Sequence, residues 1–367
     1  MSRIEIFDLR PQLEELRADV MAAVERVLAS GRVILGPEVE RFEQEFAAAL
    51  SPDTRCVGVA SGTAALAVAL RALGAGPGDE VVTVANTAVP TVSAIREVGA
   101  TPIFCDVSSE TALLDVDKLP ACLTARTRVV VPVHLYGNPV DVDVLREALG
   151  GRAIAVLEDC AQAHGARLRG RPAGTLGDAA AFSFYPTKNL GAYGDAGMCA
   201  SRDPQLAAAM RSLRSYGFEG GPEARREGWN ARLDELQAAI LRVKLPHLGR
   251  WLARRAALAE RYQAQLPQAA RRLATTPGGE HARHLLVVRV RDRDAVRAAL
   301  DARGIGTAVH YPVPVHRMPA YHFLGARAGS LPVSERLCEE VLTLPLYPEL
   351  PEAAVDAVCA ALADALA

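Results

Sequence analysis

Lysine is scarce in this chain. Its 367 residues include 41 lysines and arginines together, and only three of these are lysines, Lys118, Lys188 and Lys244. A bias this strong toward arginine is typical of a GC-rich genome. It also means that any chemistry needing a lysine amine has three candidates.

Long apolar runs, strong net charge and paired cysteines are also missing. Arg, Asp or Glu interrupts every apolar stretch before the ~18 residues that a membrane-spanning helix needs, and charges at Arg3, Glu5 and Asp8 argue against a signal segment at the N-terminus. The 43 acidic residues offset the 41 basic ones, leaving −2, so no overall field attracts nucleic acid or an anionic membrane. The seven cysteines are scattered without a C-x-x-C pair, which indicates buried thiols in a reducing compartment. We expect a cytoplasmic protein without nucleic-acid or membrane partners.

The order of predicted elements indicates two domains of an α/β protein. Short apolar strands alternate with helices through the first two thirds, which predicts a mainly parallel sheet covered on both faces. After about residue 246 the order becomes helix, strand, helix, strand, helix, as in a small α+β domain. We therefore predict a large domain, 1–245, and a small one, 246–367. Helices are predicted at 10–30, 38–50, 61–73, 87–98, 142–149, 233–265 with a break near Pro246, 294–303 and after Pro351, and strands at 56–60, 80–84, 101–105, 129–134, 153–158, 179–185, 197–200, 284–290 and 307–311.

Lys188 is the lysine in the least ordinary setting. It follows an apolar strand in a turn-rich segment, and the nearest charges along the chain are Asp178 and Asp195. A lysine in such a partly apolar loop has a depressed pKa, which suits imine formation. Lys118, in a charged segment, and Lys244, on an amphipathic helix, are interpreted as solvated.

Two features point to ligand binding at the carboxyl edge of the predicted sheet. Asp159 follows directly on a predicted strand, where it can hold a proton on a bound heterocycle, cap a helix or be a surface charge. Gln162 and His164 follow at offsets that can point into the same crevice. Ser61-Gly62-Thr63 joins a strand to a helix and can form a phosphate cup or an ordinary helix cap.

Two other patterns in the sequence do not indicate a cofactor or metal site. The glycine-rich segment 74–78 precedes a strand, so it is interpreted as a turn and not as a dinucleotide-binding loop. The histidines at 281, 284, 310, 316 and 322 lack the cysteine or acidic company of a zinc site. We expect no metal.

Six stretches together resemble one known family, the DegT/DnrJ/StrS sugar aminotransferases. They occur in the family's order between about residues 30 and 348 and include 61–66 (SGTAAL), 133–137 (VHLYG), 158–165 (EDCAQAHG), 183–191 (SFYPTKNLG), 230–241 (NARLDELQAAIL) and 310–316 (HYPVPVH). The resemblance implies a fold-type-I enzyme that uses pyridoxal 5′-phosphate (PLP). It also implies a homodimer with shared active sites, a nucleotide-linked keto sugar as substrate and L-glutamate as amino donor.

Residue by residue, the resemblance assigns roles around the cofactor. Lys188 matches the lysine that forms a Schiff base with PLP, Asp159 the carboxylate that pairs with the pyridinium nitrogen, and Gln162 the side chain near the ring hydroxyl. The residues that match the phosphate-binding positions are Gly62, Thr63, Ser183 and, from the neighbouring subunit, Asn230.

One departure from the family pattern bears on the substrate. An aromatic residue that often stacks on the cofactor is replaced by Ala88, in the segment NTAVPT that spans residues 86–91. This variant resembles the subgroup that aminates C3 of nucleotide-linked 3-keto-6-deoxyhexoses, and dTDP is the expected nucleotide. His310 and Tyr311 are candidate hydrogen-bonding partners of the sugar, although they could equally be structural.

Four other functions are alternatives to C3 amination. A relative could aminate C4 of the sugar instead. A PLP-dependent sugar dehydratase carries His where Lys188 stands, and a non-catalytic regulator would bring a basic DNA-binding module. A nicotinamide oxidoreductase would need a dinucleotide fingerprint after the first strand.

Overall fold

The computed structural model describes residues 3–367. In this part of the chain the strands are β1 (Arg55–Val59), β2 (Glu80–Val84), β3 (Thr101–Cys105), β4 (Thr127–Val130), β5 (Ala155–Asp159), β6 (Arg167–Leu168), β7 (Arg171–Pro172), β8 (Ala179–Ser183), β9 (Gly197–Ser201), β10 (Arg271–Arg272), β11 (Gly279–Glu280), β12 (Leu286–Arg289) and β13 (Val341–Leu344). The helices are α1 (Arg10–Ser30), α2 (Pro37–Leu50), α3 (Gly62–Ala72), α4 (Val89–Glu97), α5 (Leu119–Cys122), α6 (Val142–Ala148), α7 (Pro204–Leu213), α8 (Glu235–Lys244), α9 (Leu248–Gln265), α10 (Arg293–Ala302), α11 (Pro332–Glu340) and α12 (Glu352–Leu366).

A seven-stranded sheet organises the larger part of the molecule. Its order is β1-β9-β8-β5-β4-β2-β3, and all pairs are parallel except those that β9 makes with β1 and β8. Neighbouring residues of β2 point to opposite faces, yet Val81 and Val82 are both fully buried. Helices therefore cover both faces, and the prediction of a mainly parallel α/β sheet is confirmed.

The carboxyl ends of the parallel strands place the ligand-type side chains at one edge. β5 ends at Asp159 and β8 at Ser183, and β1 leads into the start of α3 at Gly62. This is the edge at which doubly wound sheets bind ligands.

A second, smaller core lies in the C-terminal part. The sheet β10-β12-β13 packs with α9, α10 and α12 around side chains such as Leu258 and Leu300, both fully buried. Ile4 and Phe7, near the N-terminus, pack against this same core, and Ile4 pairs with Ile305. The division into domains at 245/246 stays a prediction. The contacts of Ile4 and Phe7 show that residues near the N-terminus pack against the C-terminal core.

Several local differences separate the predicted elements from the observed ones. The strand predicted at 307–311 is wrong: only Ala308 bridges to Thr343, and the prolines at 312 and 314 remove the N–H groups that would continue a ladder. α11 and β13 were not predicted. Neither was α7, although Asp203 caps it by accepting from the Gln205 amide at 2.8 Å and Pro204 fills its first position, a start signal readable from sequence. Within residues 3–367 no helix has the length and hydropathy to cross a membrane.

Candidate active site

Asp159 is a buried carboxylate held through both oxygens. Its Oδ2 accepts the hydroxyl hydrogen of Thr91 at 2.8 Å, and its Oδ1 accepts from the Ala161 amide at 3.1 Å. The side chain is 4 % exposed, and burial raises the pKa of the carboxyl above its ordinary value. A protonated ring nitrogen is the kind of partner that would keep such a group ionised.

Thr91 was missed by the sequence reasoning. It lies in the first turn of α4. Its hydroxyl also forms a hydrogen bond of 3.1 Å with the hydroxyl of Thr87, which precedes the helix. Ala88, half-buried, caps this helix one turn earlier. The signal was available, because Thr91 closes the same segment that carries Ala88.

Lys188 lies in the loop that follows β8. Its amide donates to the Tyr185 carbonyl at 2.8 Å, and its side chain is half-buried. Burial lowers the pKa of its amine to about 8, while the nearby charge of Asp159 opposes that shift. About a tenth of the amine is therefore neutral at pH 7, far more than for an ordinary lysine, and the neutral form is the nucleophilic one.

The start of α3 forms a cradle that only glycine fits. A Cβ on Gly62 would lie 2.5 Å from the Cβ of Ser183, and one on Gly197 would lie 2.2 Å from the Ser61 carbonyl oxygen. The Ser61 hydroxyl accepts from the Ala64 amide at 3.1 Å. The amides of Gly62 and Thr63, at the first two helical positions, have no intrahelical acceptor and can donate to an anion. A phosphate group fits this cradle.

Gln162 connects the crevice to the small C-terminal part. Its Oε1 accepts from the Tyr136 amide at 2.6 Å, and its Nε2 donates to the Tyr311 hydroxyl at 3.0 Å. Tyr311 is also close enough to Asp159 that burial, together with this carboxylate, raises the pKa of its hydroxyl to about 12. The structure therefore brings Tyr311, Gln162 and Asp159 together.

His310 is held by other contacts. Its Nδ1 forms a hydrogen bond of 2.8 Å with the Thr343 hydroxyl, and its carbonyl accepts from the Tyr136 hydroxyl. Burial lowers the pKa of its imidazole to about 4. Of the two candidate sugar contacts, Tyr311 is hydrogen-bonded to a crevice residue, Gln162, while the nearby charge of Lys188 also acts on the His310 imidazole and lowers its pKa further.

Asn230 lies at the surface, outside this cluster. Its side-chain oxygen accepts from Arg232 at 3.0 Å, and its backbone bridges to Ser215.

Two interpretations made from the sequence are wrong. The His164 ring does not face the crevice: it lies between Phe182 and Phe184 with 5.5 Å between ring centroids in each case, and burial lowers its pKa to about 3. Lys244 is not solvated, because it is only 1 % exposed and its Nζ donates to the Gly191 carbonyl. Lys118, by contrast, is exposed as expected.

His134, in the segment 133–137 (VHLYG), forms a buried pair with Glu158 beside Asp159. The Nδ1 of His134 accepts from the Val140 amide at 2.9 Å, so its Nε2 carries the hydrogen and donates to Glu158, also at 2.9 Å. Glu158 additionally accepts three backbone amides from residues 174–177. His134, Glu158 and Cys160 have a metal-type composition, but the first two are already engaged in hydrogen bonds that hold this loop against β5.

Comparison with known proteins decides the family. The model of the DegT/DnrJ/EryC1/StrS aminotransferase family matches residues 14–363. The chain belongs to this family. The resemblance predicted from the sequence is thereby confirmed, and the protein is a PLP-dependent aminotransferase.

Individual relatives match this aminotransferase over nearly its whole length. A dTDP-3-amino-3,4,6-trideoxy-alpha-D-glucose transaminase from Micromonospora megalomicea subsp. nigra is 48 % identical over 97 % of this chain and 96 % of its own. The crystal structure of DesV from S. venezuelae superposes with a TM-score of 0.96 at 46 % identity, covering 99 % of this chain and 98 % of that one. A Bacillus subtilis protein, ntda, solved with its cofactor PMP, has a TM-score of 0.92 at 29 % identity, covering 100 % of this chain and 86 % of that one.

The residues described above fit PLP. The buried Asp159 carboxylate would hold the ring nitrogen, Gln162 lies beside the same crevice, the cradle at Gly62 and Ser183 would take the phosphate, and Lys188 supplies the amine. When bound, this cofactor acts as the electron sink for breaking the Cα–H bond of an amino donor. With the cofactor in place, the neutral amine of Lys188 would be the base that moves that proton, and Asp159 would keep a proton on the ring nitrogen.

Proposed function

We propose that this aminotransferase transfers the amino group of L-glutamate to C3 of a dTDP-linked 3-keto-6-deoxyhexose. The observation that carries the proposal is the match to the Micromonospora transaminase, 48 % identical over 97 % of this chain, whose name places the amine at C3 of a dTDP sugar. The small side chain of Ala88, next to the threonines that hold Asp159, supports the same subgroup.

Regiochemistry is the decisive test. The enzyme, PLP and L-glutamate are incubated separately with the 3-keto and the 4-keto sugar nucleotides, and the new C–N bond is located by NMR. Amination of the 3-keto sugar at C3 is expected. Amination of the 4-keto sugar alone would replace this proposal with the C4 alternative.

We further infer that the active unit is a homodimer that shares its active sites. Asn230 is exposed, and large apolar side chains of the neighbouring surface are exposed too, including Ile34, Tyr216 and Phe218, each 42–46 % exposed. Tyr216 lies beside Asn230, because its amide donates to the carbonyl of Trp229, the residue that precedes Asn230. Exposed apolar groups gathered near a cofactor-binding candidate support a protein interface there.

The cysteines support a cytoplasmic location. All seven lie within residues 3–367 and are free thiols, six of them buried. Free buried thiols persist in a reducing compartment.

A further inference from the structure

Lys244 is a buried cation that touches the loop of Lys188. The lysine loop, defined as residues 186–194, follows β8 and passes over the last turn of α8, where Lys244 lies. The Lys244 Nζ donates to the Gly191 carbonyl and stands 4.6 Å from the centroid of the Tyr193 ring. Burying an ammonium costs free energy unless it is paired, and these two contacts offset part of that cost.

A second residue of α8 holds the same loop. The Oε1 of Gln237 accepts from the Tyr193 amide at 3.0 Å, and its Nε2 donates to the Tyr193 carbonyl at 3.3 Å. Gln237 and Lys244 are seven residues apart, two helical turns, so they project from one face of α8. That face therefore binds the loop at two successive points.

The loop itself has little room to change shape locally. A Cβ on Gly191 would lie 2.3 Å from the Pro186 carbonyl oxygen, and one on Gly194 would lie 2.9 Å from the Gln237 Nε2. The Ala192 amide donates to the Phe184 carbonyl at 2.7 Å. A displacement at Gly191 is thus transmitted to the turn in which Lys188 stands.

We propose that Lys244 is a positioning residue, whose contacts with Gly191 and Tyr193 hold the lysine loop in the shape that presents Lys188 to the crevice. The proposal rests on the proposed function only in that Lys188 is taken as the reactive lysine. A misplaced reactive group costs rate without weakening substrate binding, and about 1 Å of displacement can cost ~100-fold.

Other groups around Lys244 are consistent with a fixed internal cation. Burial lowers the pKa of the Lys244 amine to about 8 and that of the Arg255 guanidinium to about 10, and the charge of Glu349, before α12, opposes both shifts. Arg255 is buried as well and donates to the Leu346 carbonyl at 2.9 Å. The polar cluster thus links α8 and α9 to the C-terminal part behind the lysine loop.

The test compares Lys244→Met with Arg242→Met in the purified holoenzyme. Methionine keeps an unbranched chain over Tyr193 but removes the donor, whereas Arg242 pairs with Glu38 and Glu45 on the other side of the same helix. We expect backbone hydrogen exchange in residues 186–194 to rise at least about tenfold in Lys244→Met, with exchange in β5 unchanged. Arg242→Met should leave exchange in the loop as it is.

Kinetics provide the second measurement. In Lys244→Met we expect kcat to fall about 10- to 100-fold while KM for the keto sugar stays within about twofold. Lys244→Arg, which retains a donor, should recover part of kcat. Should Lys244→Met not fold, Gln237→Met removes the other attachment of the loop and is expected to raise its exchange in the same way.

The outcomes separate this proposal from the proposed function. Unchanged loop exchange in a folded Lys244→Met or Gln237→Met variant overturns the positioning role, whatever sugar is aminated. Increased exchange confined to the loop supports it, even if the wild-type enzyme aminates neither keto sugar and the proposed function fails.

Discussion

Thr91 donates its hydroxyl hydrogen to the Oδ2 of Asp159 at 2.8 Å, and both side chains are buried. With the Ala161 amide on the other oxygen, this bond fixes the plane of the carboxylate. It also favours the ionised form against the burial that raises its pKa. The first turn of α4 therefore orients the group on which the cofactor's ring nitrogen depends.

Replacing Thr91 by valine should slow the reaction without unfolding the protein. A lost hydrogen bond to a charged group costs about 2 kcal/mol, which is roughly a 30-fold loss in kcat/KM. Thr87→Val, which loses only the bond between the two threonines, is the matched control and should lose less. Asp159→Asn gives the scale, with a loss well above tenfold. Thr91→Val activity equal to that of Thr87→Val would show that the bond to Asp159 does not matter.

Hydrophobic patterning predicted much of this fold, because periodicity reports burial directly. The helix at 10–30 and the strands at 80–84 and 101–105 have the predicted bounds. Lys244 was misplaced because α8 packs against α1 and α2 and also meets the lysine loop. A helix covered on several sides buries residues that a single amphipathic stripe assigns to solvent.

The candidate site was predicted unevenly for a similar reason. Lys188 stands in a segment without neighbouring charges and Asp159 directly follows a predicted apolar strand, so the local sequence alone identified each as a candidate. Thr91 is an ordinary helix residue whose role exists only because β5 brings Asp159 next to it. His164 was assigned to the crevice by its spacing from Asp159. In the structure its ring packs against Phe182, in β8, and Phe184, directly after that strand.

The buried His164 should make the protein less stable in acid. Its folded pKa is about 3 against an ordinary 6.5, so the unfolded state binds more protons between these values and the free energy of unfolding falls as pH falls through that window. From pH 7 to pH 5 this one group accounts for about 2 kcal/mol. His164→Phe removes the titration and keeps an aromatic ring between Phe182 and Phe184.

Urea unfolding of wild type and His164→Phe at pH 7 and pH 5 measures this effect. The drop in the free energy of unfolding should be smaller in the variant. The surface substitution His322→Phe is the control and should retain the wild-type drop. An equal drop in wild type and His164→Phe would show that the histidine is not excluded from protonation in the folded state.

Shared active sites predict complementation between two inactive chains. Lys188→Ala lacks the amine and Asn230→Ala lacks the residue expected to reach the neighbouring phosphate. In their heterodimer one of the two sites contains both wild-type residues. Mixing the chains under exchange conditions should restore activity, and the measurement is the rate of amino transfer against mixing ratio. Full activity in a wild-type protein that sediments as a monomer would contradict the shared site.

The most direct test of the whole account is to reduce the PLP-loaded protein with borohydride and map the modified peptide. With only Lys118, Lys188 and Lys244 in the chain, the assignment has three possible outcomes. The account predicts that the cofactor is fixed to Lys188, in the loop after β8, and that Lys188→Ala takes up no label. Label recovered on Lys118 or Lys244 would contradict it.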